Sequence, residues 1–125
     1  MFVLDSSAVL ALLLDEEGAQ IVSPITRESQ MSIVNLCEVL TKTADGGGDL
    51  DATNAIILSW GIRIRSFREG HALEVARLRP LTAHLGLSLG DRACLAQGAF
   101  SVMPVLTSDR RMAQADVGVA IQLIR

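Results

Sequence analysis

The sequence predicts an α/β domain, a three-layer arrangement with helices on both faces of a central, mainly parallel sheet of about five strands. Three observations carry that expectation. Segments of strand character alternate with helical ones from end to end. The apolar runs at Phe2 to Leu4 and Val102 to Leu106 are continuous, as in strands buried on both faces. A length of 125 residues, half of them hydrophobic, allows one core and is short for two, so residues 1–125 read as a single domain. No internal repeat, low-complexity tract or linker divides it.

The elements follow in order. "MFVLD" is a short apolar strand ending in an acid, and "SSAVLALLL" continues it as a helix with serines at its start. "EEGAQIVSPITRE" holds a second short helix punctuated by Gly18 and Pro24, with a brief strand near Gln30 and Met31. Ser32 caps the next helix, "IVNLCEVLTK". At 100° per residue this helix gathers Asn35, Glu38 and Lys42 on a polar stripe, and Ile33, Leu36, Cys37 and Leu40 on an apolar face. Glu38 is thereby expected to point away from the main apolar face.

"DGGGD", Asp45 to Asp49, is a loop, because three consecutive glycines resist helix formation through their backbone entropy. "LDATNAIILSW" is a helix, and "IRIRSF" alternates with period two, as a strand with one exposed face or an edge strand does. "EGHALEVARLRPLTAHLG" is helical, with Pro80 expected to break it or start a new turn. In "SLGDRACLAQGA" Ser88 stands three residues before Asp91 and opens another helix. "FSVMPVLT" and "VAIQLI" complete the strands.

The formal charge is −3, which argues against attachment to nucleic acid by bulk electrostatics. It is unevenly distributed: residues 1–60 hold nine acids against two bases, and residues 61–125 hold nine arginines against five acids. A basic rim around an acidic centre is compatible with that asymmetry. Cys37 and Cys94 each sit inside an apolar helical pattern, so both are expected to be buried, reduced thiols. His71 and His84 lack metal spacing. No run reaches the roughly 18 apolar residues of a membrane span, and the N-terminus lacks signal-peptide features, so a cytoplasmic protein without membrane association is expected.

Chemistry is carried by the acids. Open parallel sheets present ligand sites where strands end and helices begin, and Asp5 and Asp109 stand at such ends. Taken singly, Asp5 and Asp109 could be helix caps, Asp91 could form a capping box with Ser88, and Glu38 could be a solvated partner of Lys42. Taken together, four carboxylates converging on one cleft would repel and recruit a hard divalent cation, Mg²⁺ or Mn²⁺. Such an ion activates water and stabilises charge on a phosphoryl oxygen, the chemistry of phosphodiester hydrolysis. Other site chemistries find no support. The chain has no glycine-rich phosphate loop, no second aspartate two residues after Asp5 and no G-x-S-x-G. With three Phe, one Trp and no Tyr, it also lacks the aromatics of a single-strand binding platform.

"FVLDSSAVLALLL", "NLCEVLTK", "LSLGDRACLA" and "PVLTSD" resemble, in order and spacing, the four acidic motifs of PIN-domain ribonucleases. They are most similar to those of the VapC toxins of bacterial toxin–antitoxin pairs. The resemblance covers essentially the whole chain and implies a PIN-like fold. It implies further that Asp5, Glu38, Asp91 and Asp109 line a Mg²⁺ or Mn²⁺ site. Asp5, Asp91 and Asp109 would be the metal ligands, and Glu38 would either position or deprotonate the attacking water or complete the metal shell. Ser7 and Thr107 occupy small hydroxyl positions expected to contact the ion, its water or its carboxylates, and Asn35 matches a frequent polar position.

The implied activity is that of an endoribonuclease on structured RNA such as tRNA or rRNA, inhibited by a cognate antitoxin and assembled as a homodimer. Arg92, Arg110 and Arg111 adjoin two motif acids and could bind RNA phosphate, or could simply be solvated. Two alternatives stay open at the level of sequence: a non-catalytic PIN-fold module binding RNA or protein, and a metal-dependent phosphohydrolase of small substrates. The hydrophobic excess in "AVLALLL" and "NAIILSW" suggests a docking surface for an antitoxin or a second copy, with full burial as the competing account.

Overall fold

The computed structural model describes residues 1–125. The chain runs β1 (Phe2–Leu4), α1 (Ser6–Leu13), α2 (Ala19–Val22), a 3₁₀ turn, β2 (Ser29–Ser32), α3 (Ile33–Asp45), α4 (Leu50–Ser59) and β3 (Arg63–Arg65). It continues through α5 (Glu69–Thr82), α6 (Leu89–Ser101), β4 (Val105–Thr107) and β5 (Ile121–Leu123). All five strands pair in parallel, in the order β3-β2-β1-β4-β5.

Successive side chains of a strand point to opposite faces, and here both faces are apolar. Leu4 and Leu106 join Val9, Met31, Val39 and Ile57 in a core beneath α1, α3 and α4. Val3 and Val105 join Leu78, Cys94 and Leu95 in a second core beneath α5 and α6. Three layers result, as the continuous apolar strands predict. β3 is an edge strand with Arg63 and Arg65 exposed, which accounts for its alternating basic pattern. No helix is long and apolar enough to cross a membrane.

Several local expectations are corrected. On α3 part of the polar stripe turns inward: Asn35 is 1% exposed and Glu38 is half-buried, while Lys42 stays exposed, because the first turns of the helix pack on the small residues of α6. Ile33 and Cys37 are exposed instead, so only Cys94 is the buried thiol. Glu38 makes no ion pair with Lys42. Pro80 neither breaks nor starts a helix; it sits in the last turn of α5, where only the carbonyl four residues earlier goes without its bond. The strand expected in "FSVMPVLT" begins only at Val105, since α6 continues to Ser101.

Val102 ends α6 in the left-handed region, at φ 52°, and is 90% exposed. A β-branched residue is strained in that conformation, where glycine is the usual helix terminator. Val102→Gly is therefore expected to raise stability by about 1 kcal/mol, visible as a higher urea midpoint with an unchanged m value.

Candidate metal centre

The strand order places a reversal between β1 and β4. From β1 the chain crosses to β2 on one side, while β4 lies on the other. A crevice at the carboxyl ends of such a strand pair is where open α/β sheets hold ligands. With Leu4 opposite Leu106, Asp5 emerges beside Thr107, and its backbone N–H still donates to the Leu106 carbonyl at 3.2 Å.

Asp5 is the N-cap of α1, its Oδ1 accepting from the Ala8 N–H at 2.9 Å. The hydroxyls named by sequence both converge on it. Ser7 Oγ donates to Oδ1 at 2.6 Å, and Thr107 Oγ1 donates to Oδ2 at 2.5 Å. Ser7 in turn accepts from the Ser108 N–H at 2.8 Å, and Thr107 from the Asp109 N–H at 2.9 Å, so the turn after β4 is fastened to the turn after β1. Asp5 is 3% exposed. Burial raises its pKa from 3.8 to about 6, the three hydrogen bonds oppose the rise, and the charge of Asp91 adds to it.

Glu38 and Asp91 come from the facing helices. The capping box expected at α6 is present: Ser88 Oγ accepts from the Asp91 N–H at 3.1 Å, and Asp91 Oδ2 accepts from the Ser88 N–H at 2.9 Å. Asn35 Nδ2 donates to Glu38 Oε1 at 2.7 Å and to the Gly90 carbonyl at 3.0 Å. Two acceptors on that one atom fix the amide orientation, and leave the buried Asn35 Oδ1 without a partner. The Glu38 carboxylate lies directly against Gly90, where any Cβ would overlap it.

Cys94, one turn inside α6, reports how these groups are arranged. Its thiol is pushed well up, first by burial and then by the charges of Asp5, Asp91 and Glu38. The charges of three of the four predicted acids thus all reach this one thiol. As the side chains stand, no three of the chain's acids, histidines or cysteines converge closely enough to grip one ion.

Asp109 is engaged within its own turn. Its Oδ1 accepts from the Arg111 N–H at 2.8 Å and its Oδ2 pairs with the Arg111 guanidinium at 3.4 Å. Arg92 is committed to α5, donating to the Val75 carbonyl at 2.8 Å, whereas Arg110 and Arg111 are exposed. The residue that sequence reasoning missed is Gly90. Its signal was present: glycine inside a helix is destabilising, so its presence next to a motif acid marks a close approach.

The model of the PIN domain family matches residues 2–118. No curated protein matches the chain by sequence. Among solved structures, a toxin–antitoxin complex from Klebsiella pneumoniae aligns with a TM-score of 0.76 at 16% identity, over 100% of this chain and 98% of that one. FitAcB from Neisseria gonorrhoeae aligns at 0.71 and 23%, over 97% and 96%. Mycobacterium tuberculosis VapC20, a toxin that cleaves the sarcin-ricin loop, aligns at 0.72 and 18%, over 96% and 99%.

Proposed function

The chain belongs to the PIN domain family, and on that footing we propose that it is a Mg²⁺- or Mn²⁺-dependent endoribonuclease, the toxin of a type II toxin–antitoxin pair, acting on structured RNA. One observation carries the reading. Asp5, Glu38 and Asp91 come from three different elements, their charges all act on Cys94, and no cationic side chain pairs with any of them. Like charges so placed call for a cation. The donors are all oxygens, including the orphaned Asn35 Oδ1 beside Glu38, which suits a hard divalent ion.

Asp5 and Asp91 are the principal ligands in this reading, with Asp109 joining directly or through water. A bound ion of this kind lowers the pKa of a water molecule and offsets charge on the phosphoryl oxygen. The protein's own residues do the rest. Ser7 and Thr107 lock the Asp5 carboxylate in one orientation. Asn35 holds Glu38 where it can position or deprotonate the attacking water, or complete the ion's shell. Arg110 and Arg111 stand at the exposed edge, where guanidinium groups meet phosphate well.

A partner is part of the proposal. Ile33, Leu50 and Leu89 are exposed, the last at 58%, and they line two adjoining clefts along α3 with Cys37 between them. A surface of this kind suits an antitoxin helix or a second copy of the chain. The K. pneumoniae relative is a toxin–antitoxin complex in name, and a cytoplasmic homodimer is the assembly we infer.

The competing reading, a non-catalytic module binding RNA or protein, draws on the capping bonds that Asp5, Asp91 and Asp109 all make. Mn²⁺ titration separates the two. The nuclease reading expects a rise in thermal midpoint equivalent to about 2.7 kcal/mol at a hundredfold excess over Kd, together with Mn²⁺-dependent cleavage of a panel of tRNA and rRNA fragments. A flat titration with intact RNA would leave the binding module. Hydrolysis of p-nitrophenyl phosphate alone would point to a small-molecule phosphohydrolase.

A further inference from the structure

Away from the acids, a second cleft of about 410 Å³ opens between the end of β3, the start of α5 and the end of α6. Its floor is rigid. The Arg68 N–H donates to His71 Nδ1 at 3.1 Å, so the ring proton sits on Nε2, which donates to Gln97 Oε1 at 3.2 Å. Gln97 is buried, and its amide donates to Gln30 Oε1 and to Ser101 Oγ, each at 2.8 Å. The imidazole is thus fixed between two of the chain's three phenylalanines, Phe67 at 5.7 Å and Phe100 at 4.9 Å, the latter edge-on.

The rim is cationic and bare. Arg65 and Arg68 flank the cleft and form no ion pair, with Arg63 exposed on the same edge strand. Phe100 is 52% exposed, although aromatic residues are scarce in this chain. Two guanidinium groups without an ion pair, that of Arg68 steadied by its Nε donating to Ser66 Oγ at 3.2 Å, stand beside an uncovered ring on a locked support and match a phosphodiester and one unstacked base.

We propose that this cleft is an accessory RNA subsite, in which Arg65 and Arg68 hold a backbone phosphate and Phe100 stacks on one unpaired base. The proposal rests on the nuclease reading for the class of ligand. The subsite lies at the C-terminal end of α6 and the acids at its N-terminal end. Nine residues separate Asp91 from Phe100, about 14 Å along the helix axis, a span that a folded RNA exceeds. On a chain of net charge −3, this patch supplies local attraction that the acidic centre lacks.

The test measures anisotropy of a fluorescently labelled RNA hairpin with a single-stranded loop, in EDTA, across a KCl series. Alongside it, Mn²⁺-dependent cleavage of the same hairpin by the wild-type protein is followed. R65Q/R68Q should weaken binding about tenfold or more and lower the salt slope by the equivalent of about two phosphates. R65K/R68K should retain the slope. F100A should weaken binding at least about fivefold with the slope unchanged. Variants that bind like a cleaving wild type overturn the subsite and leave the nuclease reading intact. A wild type that neither binds nor cleaves the hairpin overturns both. Loss confined to binding of poly-glutamate overturns the subsite in favour of protein docking.

Discussion

Asp5→Asn is expected to abolish metal-dependent RNA cleavage and, without metal, to make the protein more stable at neutral pH. The two effects have one source. Asp5 is held in a buried cleft with its pKa raised from 3.8 to about 6. Below about pH 4 the group is protonated in both folded and unfolded chains and contributes nothing to the difference between them. As pH rises toward 6 the unfolded chain ionises first, so stability falls. Above about pH 6 the folded chain ionises too and the loss levels off, at about 3 kcal/mol for a shift of this size.

Asparagine removes that titration while keeping the architecture. Its Oδ1 can still cap α1 through the Ala8 N–H, since Asn and Asp are comparable N-caps. Its amide can donate to Thr107 Oγ1, whose hydroxyl can turn to Ser7 Oγ, 3.3 Å away. Urea unfolding in EDTA should therefore show the variant and wild type close together near pH 4, and the variant ahead by up to about 3 kcal/mol near pH 7.5. Saturating Mn²⁺ should reverse the order by stabilising only the wild type. Full cleavage by the variant, or identical pH dependence of the two proteins, would sink the assignment of Asp5. Because the site must lose a proton to take a cation, wild-type cleavage at limiting Mn²⁺ should decline below about pH 6 and recover when more metal is added.

Much of this architecture was legible in the sequence because it depends on local and one-dimensional signals. Val3 and Leu4 are both apolar, which only a strand covered on both faces requires, and the structure sorts them into opposite cores. Ser88 and Asp91 form the capping box their spacing predicts. Period-two arginines marked the edge strand. What misled the reading of α3 was the assumption that its whole apolar face turns inward, as Leu36 and Leu40 do. Ile33 and Cys37 stay exposed while Asn35 is buried, because a cleft built between two helices turns polar groups toward itself. Periodicity describes one helix, whereas that inversion belongs to the pair α3 and α6. The arginines divided on the same ground: nothing local distinguishes Arg92, bonded to a carbonyl of α5, from the exposed Arg110.

Gly90→Ala is the second large effect, and it isolates geometry from stability. Glu38 rests on Gly90 so closely that a Cβ there would meet Oε1, Oε2 and Cδ of its carboxylate at under 3.0 Å. The backbone of α6 is fixed by packing, so the flexible Glu38 side chain is the part that moves, breaking its 2.7 Å bond from Asn35. That loss costs about 1 kcal/mol, and the gain from replacing a helical glycine by alanine is similar, about 0.8–1 kcal/mol. Overall stability should therefore change by less than about 1 kcal/mol. Cleavage should not be spared, since a general base or water-positioning carboxylate contributes about 10²–10⁴-fold. A fall in kcat of about a hundredfold or more is expected, with RNA affinity in EDTA unchanged because the displaced group is an anion. Glu38→Gln should fall comparably, and the double variant no further, because both substitutions disable the same carboxylate. A Gly90→Ala protein that cleaves at the wild-type rate would show that Glu38 does not act from the position in which Asn35 and Gly90 hold it.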